Sequence, residues 1–290
     1  MGLITLILAL LADQLRPHEF LSSREQRPHV EDGMAAVSGA ERWLAVVLGA
    51  GFASALAFYL LWELNSLFAL LFNIAVLYLM LGFRGKIERF SRIHLALRMG
   101  EIDHARQLLA DWYGFSGSRA GVSEIARLSI EKLLLSAHRH VFGVVFWFLI
   151  LPGPSGAVMY RLACMLAERA RARQQGGFAV RVFELIDWLP VRLSAFVCAV
   201  VGNFEDALYC WRTQAARWPE ASAGVLLASA AGALGLRLGM QAQDGERVLE
   251  RPELGAGGDA DVEQMQNTIN LLWRALLVCL FLIALLSLVG

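Results

Sequence analysis

Charged residues are scarce in this sequence. Asp, Glu, Lys and Arg make up 18% of its 290 residues, whereas about a quarter is usual for a soluble domain. The charges are also unevenly placed, because several long windows contain almost none. The 26 basic and 26 acidic residues cancel, so no positive excess supports nucleic acid as a partner. These absences indicate a protein in contact with a lipid bilayer.

Recognisable metal and nucleotide motifs are also missing. The four cysteines form no CxxC pair and no zinc-ligand spacing, and there is no glycine-rich phosphate loop. The pair His138 and His140 flanks Arg139, but side chains this close along a helix point in different directions. No Cys or Asp completes a known set of ligands around them. The sequence therefore predicts no metal site.

Long apolar runs predict membrane-spanning helices. A helix needs about 20 mostly apolar residues to cross a bilayer. The clearest candidates are residues 43–62, 66–83 and 271–289. Only residues 63–65 separate the first two runs, which predicts a tight antiparallel hairpin. The N-terminal run of residues 3–11 is shorter, so it either extends past Asp13 to span the membrane or lies partly in the interface.

A further apolar run, residues 141–166, is interrupted by the sequence LPGPSG at residues 151–156. Pro152 removes a backbone donor, and Pro154 restricts Gly153 away from the helical region. One interpretation is a single kinked spanning helix. The other is a re-entrant pair of half-helices, whose broken backbone must be buried in protein or line a polar cavity.

Basic residues help to choose between these interpretations. Residues 84–140 contain ten Lys or Arg, so the positive-inside rule places this segment in the cytoplasm. A second basic stretch, residues 169–181, follows the interrupted run. A single crossing puts the two basic stretches on opposite sides, whereas a re-entrant pair keeps both inside. The re-entrant pair is therefore favoured.

The sequence thus predicts an all-α, polytopic integral membrane protein. It has four to five membrane-associated helical segments, one of them interrupted, and a helical cytoplasmic segment in two pieces around Gly100. The predicted organisation is N-terminal membrane helices at 1–83, the cytoplasmic segment at 84–140, interrupted or interfacial helices around a pocket at 141–240, loop at 241–268 and a C-terminal membrane helix at 269–290.

Two short stretches attract attention for their chemistry. Arg192 lies just after a proline and only three residues into a short apolar run, which predicts an inward-facing guanidinium that binds an anion. Trp218, Pro219 and Glu220 open a small-residue stretch. Pro219 at a helix start and Glu220 in its first turn fit a helix N-terminus.

Several longer pieces resemble the CobD/CbiB family of cobalamin-biosynthesis membrane proteins and its relative AmpE. They include EIARLSIE, FWFLILPGPSGAVMYR, DWLPVRLSA, WPEA, GALGLRLG and RPELG, and they extend over most of the chain. The last pieces favour CobD/CbiB over AmpE. The resemblance implies a multi-pass protein of the bacterial inner membrane.

The family's enzymes join an aminopropanol phosphate or related amine to a carboxylate of adenosylcobyric acid, using ATP. The resemblance therefore implies a corrinoid or a phosphate-bearing small molecule as partner besides the bilayer, and ATP with Mg²⁺ only where that reaction is retained. It implies Glu131 and Glu220 as candidate catalytic residues. The implied ligand-binding or anion-binding residues are Arg84, Arg192, Trp218, Arg237 and Arg251. Homo-oligomerisation stays open.

The sequence departs from the family pattern at three places. The family has GRDT-type sequence where this chain reads GFSGSR at 114–119, acidic residues where it has 135–136 and 139–140, and NTLD where it has 164–167. These changes remove hard oxygen ligands of the kind that Mg²⁺ requires. Two hypotheses follow: a diverged and non-catalytic member of the family or an amide ligase of the family type. An AmpE-like envelope regulator linked to β-lactamase induction is the alternative function.

Overall fold

The structure is a computed structural model that describes residues 2–14, 39–113, 120–173, 177–244 and 247–289. The chain forms two compact units. The first comprises Met1–Gly85 and Arg139–Asp187, and the second comprises Lys86–His138 and Trp188–Gly290. Helices dominate both, which confirms the predicted all-α class.

The described helices of the first unit follow the apolar runs. They are α1 (Gly2–Gln14), α2 (Ala40–Leu64), α3 (Ser66–Leu81), α7 (Gly143–Ile150) and α8 (Ser155–Ala172). Helix α1 packs on α3, and α2 packs on both α3 and α8. The predicted hairpin of α2 and α3 is confirmed, since Asn65 alone separates them and its side chain accepts a 2.8 Å hydrogen bond from the Leu67 N–H to cap α3.

The interrupted apolar run reverses direction between α7 and α8. Gly153 in the connection has a φ of 60°, which residues with a side chain rarely adopt. A Cβ on Gly143 would overlap Tyr160, and a Cβ on Gly156 would overlap the Trp147 carbonyl oxygen, so the two helices pack antiparallel at close range. The prediction of a single kinked helix is therefore wrong, because the chain reverses direction at the break that contains Pro152, Gly153 and Pro154.

The described helices of the second unit are mostly shorter. They are α4 (Arg84–Arg98, which begins just before the unit does), α5 (Ile102–Tyr113), α6 (Val122–Ala137), the second half of α9 (Phe178–Val201), α10 (Phe204–Gln214), α11 (Ala221–Leu234) and α12 (Val262–Val289). The predicted break at Gly100 is confirmed, with a φ of 78° between α4 and α5.

The core of the second unit is built around α11. Nearly every side chain of this small-residue helix is buried, and α6, α10 and α12 all pack against it. Cys198, Ala207, Ala233 and Leu271 bring α9, α10, α11 and α12 together in one apolar cluster. Small residues permit this close approach, as in membrane helix bundles.

Short strands lie in, and just before, the segment predicted as loop at 241–268. They are β1 (Leu236–Gly239), β2 (Ala242–Asp244), β3 (Arg247–Leu249), β4 (Glu253–Leu254) and β5 (Gly258–Asp259). Strand β1 pairs antiparallel with β4 and parallel with β5, while β2 pairs with β3. Strands of two to four residues are too short to show alternation, which is why the sequence indicated loop. Helix α12 also begins nine residues before its apolar run.

Four described helical stretches are long and apolar enough to cross a membrane, which confirms a multi-pass membrane protein. They are Ala40–Leu64, Ser66–Arg98, Val122–Ile150 and Val262–Leu288. The third joins α6 to α7 through a π-helical turn, His138–Phe142. Only 11% of the most apolar window of Ala40–Leu64 is buried inside the protein, against 56% for Val122–Ile150. The first therefore presents apolar side chains to lipid, and the third packs largely against protein. Whether α1 spans stays a prediction.

Candidate functional site

Helix α6 carries two buried charges on one face. Arg127 and Glu131 are four residues apart, so they lie one above the other on the helix surface. Arg127 is 6% exposed and Glu131 is 1% exposed, on a helix whose residues 125–131 are all buried. Burial of ionised groups is costly unless partners compensate for the lost water. Both side chains have such partners at the end of β1 and in the chain that follows it.

The turn after β1 is held by these two side chains. The Gly239 N–H donates a 2.8 Å hydrogen bond to Oε1 of Glu131, and Nη2 of Arg127 donates a 2.7 Å hydrogen bond to the Gln241 carbonyl oxygen. Gly239 and Met240 both have left-handed backbone, with φ values of 76° and 63°. Left-handed backbone costs a residue with a side chain about 1–2 kcal/mol. The strained turn persists because α6 fixes it from both ends.

Arg251 completes the arrangement. Its Nη1 donates a 2.7 Å hydrogen bond to Oε2 of Glu131, so both carboxylate oxygens are engaged. The guanidinium of Arg251 also stacks over the Trp218 ring, 5.6 Å from its centroid. We call Arg127, Glu131, Trp218, Arg251 and residues 239–241 the arginine–glutamate cluster. It contains two guanidiniums and one carboxylate, so its net charge is positive.

Tyr113 at the end of α5 packs beside the arginine–glutamate cluster. Its hydroxyl donates a 3.2 Å hydrogen bond to the Leu128 carbonyl oxygen, and the Lys132 ammonium lies 4.6 Å from its ring centroid. Burial raises the pKa of the Tyr113 hydroxyl above its ordinary value, and the charge of Glu131 raises it further. Tyr113 is therefore neutral at physiological pH and serves as a hydrogen-bond donor.

Three predicted site residues thus meet in one place, namely Glu131, Trp218 and Arg251. Arg237 lies on β1 between the buried Leu236 and Leu238, and its side chain pairs instead with Asp259 at 2.7 Å and Glu253 at 3.4 Å. Because residues alternate along a strand, its side chain points away from the buried face. Two carboxylates neutralise Arg237, which leaves it poorly suited to bind a further anion.

The other predicted residues lie elsewhere. Nη1 of Arg192 donates a 2.7 Å hydrogen bond to the Trp188 carbonyl oxygen, and its guanidinium stacks 4.1 Å from the Trp188 ring centroid. Trp188 is 53% exposed, so Arg192 lies along the outer face of α9 and not inward as the sequence suggested. Glu220 is the residue before α11 and does not lie in its first turn as predicted, and its side chain makes no capping hydrogen bond there. Arg84 begins α4, and its side chain is half-buried.

Two departures from the family pattern meet in the first unit. Arg139 donates a 3.3 Å hydrogen bond to Oε1 of Glu168, and the Cys164 thiol lies 3.8 Å from the same oxygen. These are positions where the family carries acidic or amide groups. The third departure, residues 114–119, lies outside the described residues.

Arg127 and Met240 are not among the site residues predicted from the sequence. The spacing of Arg127 and Glu131 in EIARLSIE is a usable signal, because an Arg and a Glu four residues apart share one helix face. The left-handed backbone of Met240 has no sequence signal, since methionine normally avoids it.

The arginine–glutamate cluster does not fit the Mg²⁺ that accompanies ATP in the family's reaction. Glu131 is its one carboxylate, and both oxygens are already bound by Gly239 and Arg251. Among the described residues, no group of three or more His, Cys, Asp or Glu is placed to hold a metal ion. Mg²⁺ requires several oxygen ligands in near-octahedral arrangement.

Comparison with known proteins shows what the chain is similar to. A family model described as "CobD/Cbib protein" matches residues 10–272. The protein named "Cobalamin biosynthesis protein CobD" of Stutzerimonas stutzeri is 34% identical over 218 residues, which cover 72% of each chain. Its namesake from Chromobacterium violaceum is 34% identical over 214 residues, or 70% of this chain and 68% of the relative. No solved structure gives a significant match.

Proposed function

Because this chain belongs to the CobD/CbiB family, we propose that it takes part in cobalamin biosynthesis. The support is the role for which two relatives are named, each 34% identical over about seven-tenths of the chain. Four membrane-spanning stretches make it a multi-pass membrane protein, and the proposed location is the bacterial inner membrane. Its ligand is a corrinoid or a phosphate-bearing small molecule.

One observation links the proposed function to a particular site. The family-like pieces EIARLSIE, WPEA, GALGLRLG and RPELG are separate in the sequence, yet each contributes at least one residue to the arginine–glutamate cluster. These residues include Glu131, Trp218, Gly239 and Arg251. A shared structural site explains why these separate pieces all resemble the family.

The proposed role of Glu131 is to position Arg251 and the turn after β1. Each oxygen of Glu131 holds another part of the protein, Oε1 through the Gly239 N–H and Oε2 through Arg251. This supports a diverged family member in which Glu131 has no catalytic part. Glu220, at the start of α11, stays a candidate catalytic residue.

Complementation tests the proposal. The full chain is expressed in a bacterium that lacks its own cobinamide-phosphate synthase, and growth is measured on a medium that demands cobalamin. We expect growth with the parent chain and with Arg212→Gln, whose side chain is exposed on α10, and loss of growth with Arg251→Gln. No growth with the parent chain, despite its presence in the membrane fraction, would contradict a retained family reaction.

An AmpE-like envelope role is the second candidate. It is supported by Arg139 and Cys164, which stand where the family's enzymes have acidic or amide groups and which both contact Glu168. In this case the same strain shows no cobalamin-dependent growth, whereas deletion of the gene in its own host changes β-lactamase induction.

A further inference from the structure

Arg251 has a hydrogen-bonding edge that the protein leaves unused. Its Nη1 is bonded to Glu131, but its Nε and Nη2 are buried and find no acceptor among the residues that the structure describes. The Nε–H and the neighbouring Nη2–H of a guanidinium point the same way. Together they form the fork that matches two oxygens of a carboxylate or a phosphate.

Arg127 repeats the pattern beside the same turn. Its Nη2 is bonded to the Gln241 carbonyl oxygen, and its buried Nε has no acceptor within the described parts of the chain. Arg127 is buried, with only 6% of its surface exposed to solvent. Buried donors on a charged group are rarely left unbonded, because desolvation without a partner is costly.

Carboxylates surround the two guanidiniums unevenly. Glu131 attracts both guanidiniums and forms its ion pair with Arg251, while Glu124 also attracts Arg127. The case for an anion therefore rests on the unused donors, and Arg251 has the larger number of them.

The backbone supplies an independent indication. Met240 sits between the two residues that Arg127 and Glu131 hold, and it keeps a left-handed φ of 63°. Strained non-glycine backbone persists where the surroundings over-determine it, and such places cluster at ligand sites. The strain and the unused donors therefore occur at the same turn.

We propose that Arg127 and Arg251 form a buried site for a compact oxyanion, with the Nε–Nη2 edge of Arg251 as its principal contact. The ligand class is a phosphate group, carried by a small molecule or a lipid. This deepens and rests on the proposed function, since it names the chemical group that the site recognises. Glu131 aligns Arg251 by holding Nη1, which leaves the fork free for the ligand.

Equilibrium binding of radiolabelled inorganic phosphate tests the site. The full chain is placed in nanodiscs of neutral phosphatidylcholine. We expect saturable binding that sulfate displaces and chloride at equal ionic strength does not, because a single-atom anion cannot use the fork. Arg251→Lys and Arg127→Lys keep the charge and remove Nε, so each weakens phosphate binding by at least about tenfold. Arg212→Lys, on the exposed face of α10, binds like the parent.

A second arm identifies the source of the phosphate group. In nanodiscs that contain phosphatidylglycerol and no free phosphate, a higher thermal midpoint for the parent but not for Arg251→Lys assigns the site to a lipid headgroup. Equal phosphate binding by the parent and both lysine variants overturns the proposal, and so does the absence of any effect in both arms. Failure here with intact complementation refutes only this site, while phosphate binding without complementation refutes only the proposed function.

Discussion

The carboxylate of Glu131 joins three separate parts of the second unit. It accepts hydrogen bonds from the backbone of β1 and from Arg251, and it extends from α6, where its side chain is 2% exposed. A buried ion pair of this kind adds little to stability compared with apolar packing, but the removal of one partner is costly. Glu131 is therefore important for the integrity of the site even without a chemical role.

Glu131→Gln separates a structural role from a catalytic one. The amide cannot compensate Arg251, so we expect the free energy of unfolding to fall by about 3 kcal/mol or more. Thermal unfolding of the purified protein in detergent measures the change. Glu101→Gln, at the exposed turn before α5, is the control and should leave the thermal midpoint unchanged. A variant that unfolds like the parent and binds phosphate like the parent, but abolishes complementation, would instead show that Glu131 is catalytic.

The elements differ in how far the sequence predicts them. Helices α2 and α3 follow their apolar runs closely, since long apolar stretches have few alternatives in a bilayer. Strands β1, β4 and β5 have no local signal because they pair across the intervening chain, and β2 and β3, although neighbours in sequence, have only three residues each. The turn at Met240 was missed for the same reason, as α6 imposes its conformation.

The α7–α8 hairpin predicts which membrane face each connection reaches. Because the chain folds back at Gly153, the segments before α6 and after α8 should lie on the same side. Single cysteines at Glu101 and Arg173, both exposed, should react with an impermeant maleimide from the cytoplasmic side. A cysteine at Asn65, between α2 and α3, should react from the opposite side. The four native cysteines can also react, and labelling of the parent chain measures this background.

Labelling of Arg173→Cys from the same side as Asn65→Cys would contradict the prediction that the α7–α8 hairpin returns the chain to the cytoplasmic side. It would also remove the argument that both basic segments obey the positive-inside rule.

At the scale of the whole molecule, the sequence identified the family and the membrane architecture but only part of the site. Glu131, Trp218 and Arg251 were selected through family-like pieces, and they meet in the second unit. Arg192 and Arg237 were selected in the same way and have other partners, Trp188 for one and Asp259 with Glu253 for the other. A motif marks the residue types that are kept, whereas only the fold decides which of them share a pocket or a surface.

Cellular cobalamin is the most direct measure of the central proposal, that this chain acts in cobalamin biosynthesis. The gene is deleted in its own host, and corrinoids are quantified by mass spectrometry with and without a plasmid copy. We predict that the deletion strain loses cobalamin, that the plasmid restores it, and that a plasmid with Arg251→Gln does not. Unchanged cobalamin in the deletion strain, particularly with altered β-lactamase induction, would contradict the proposal.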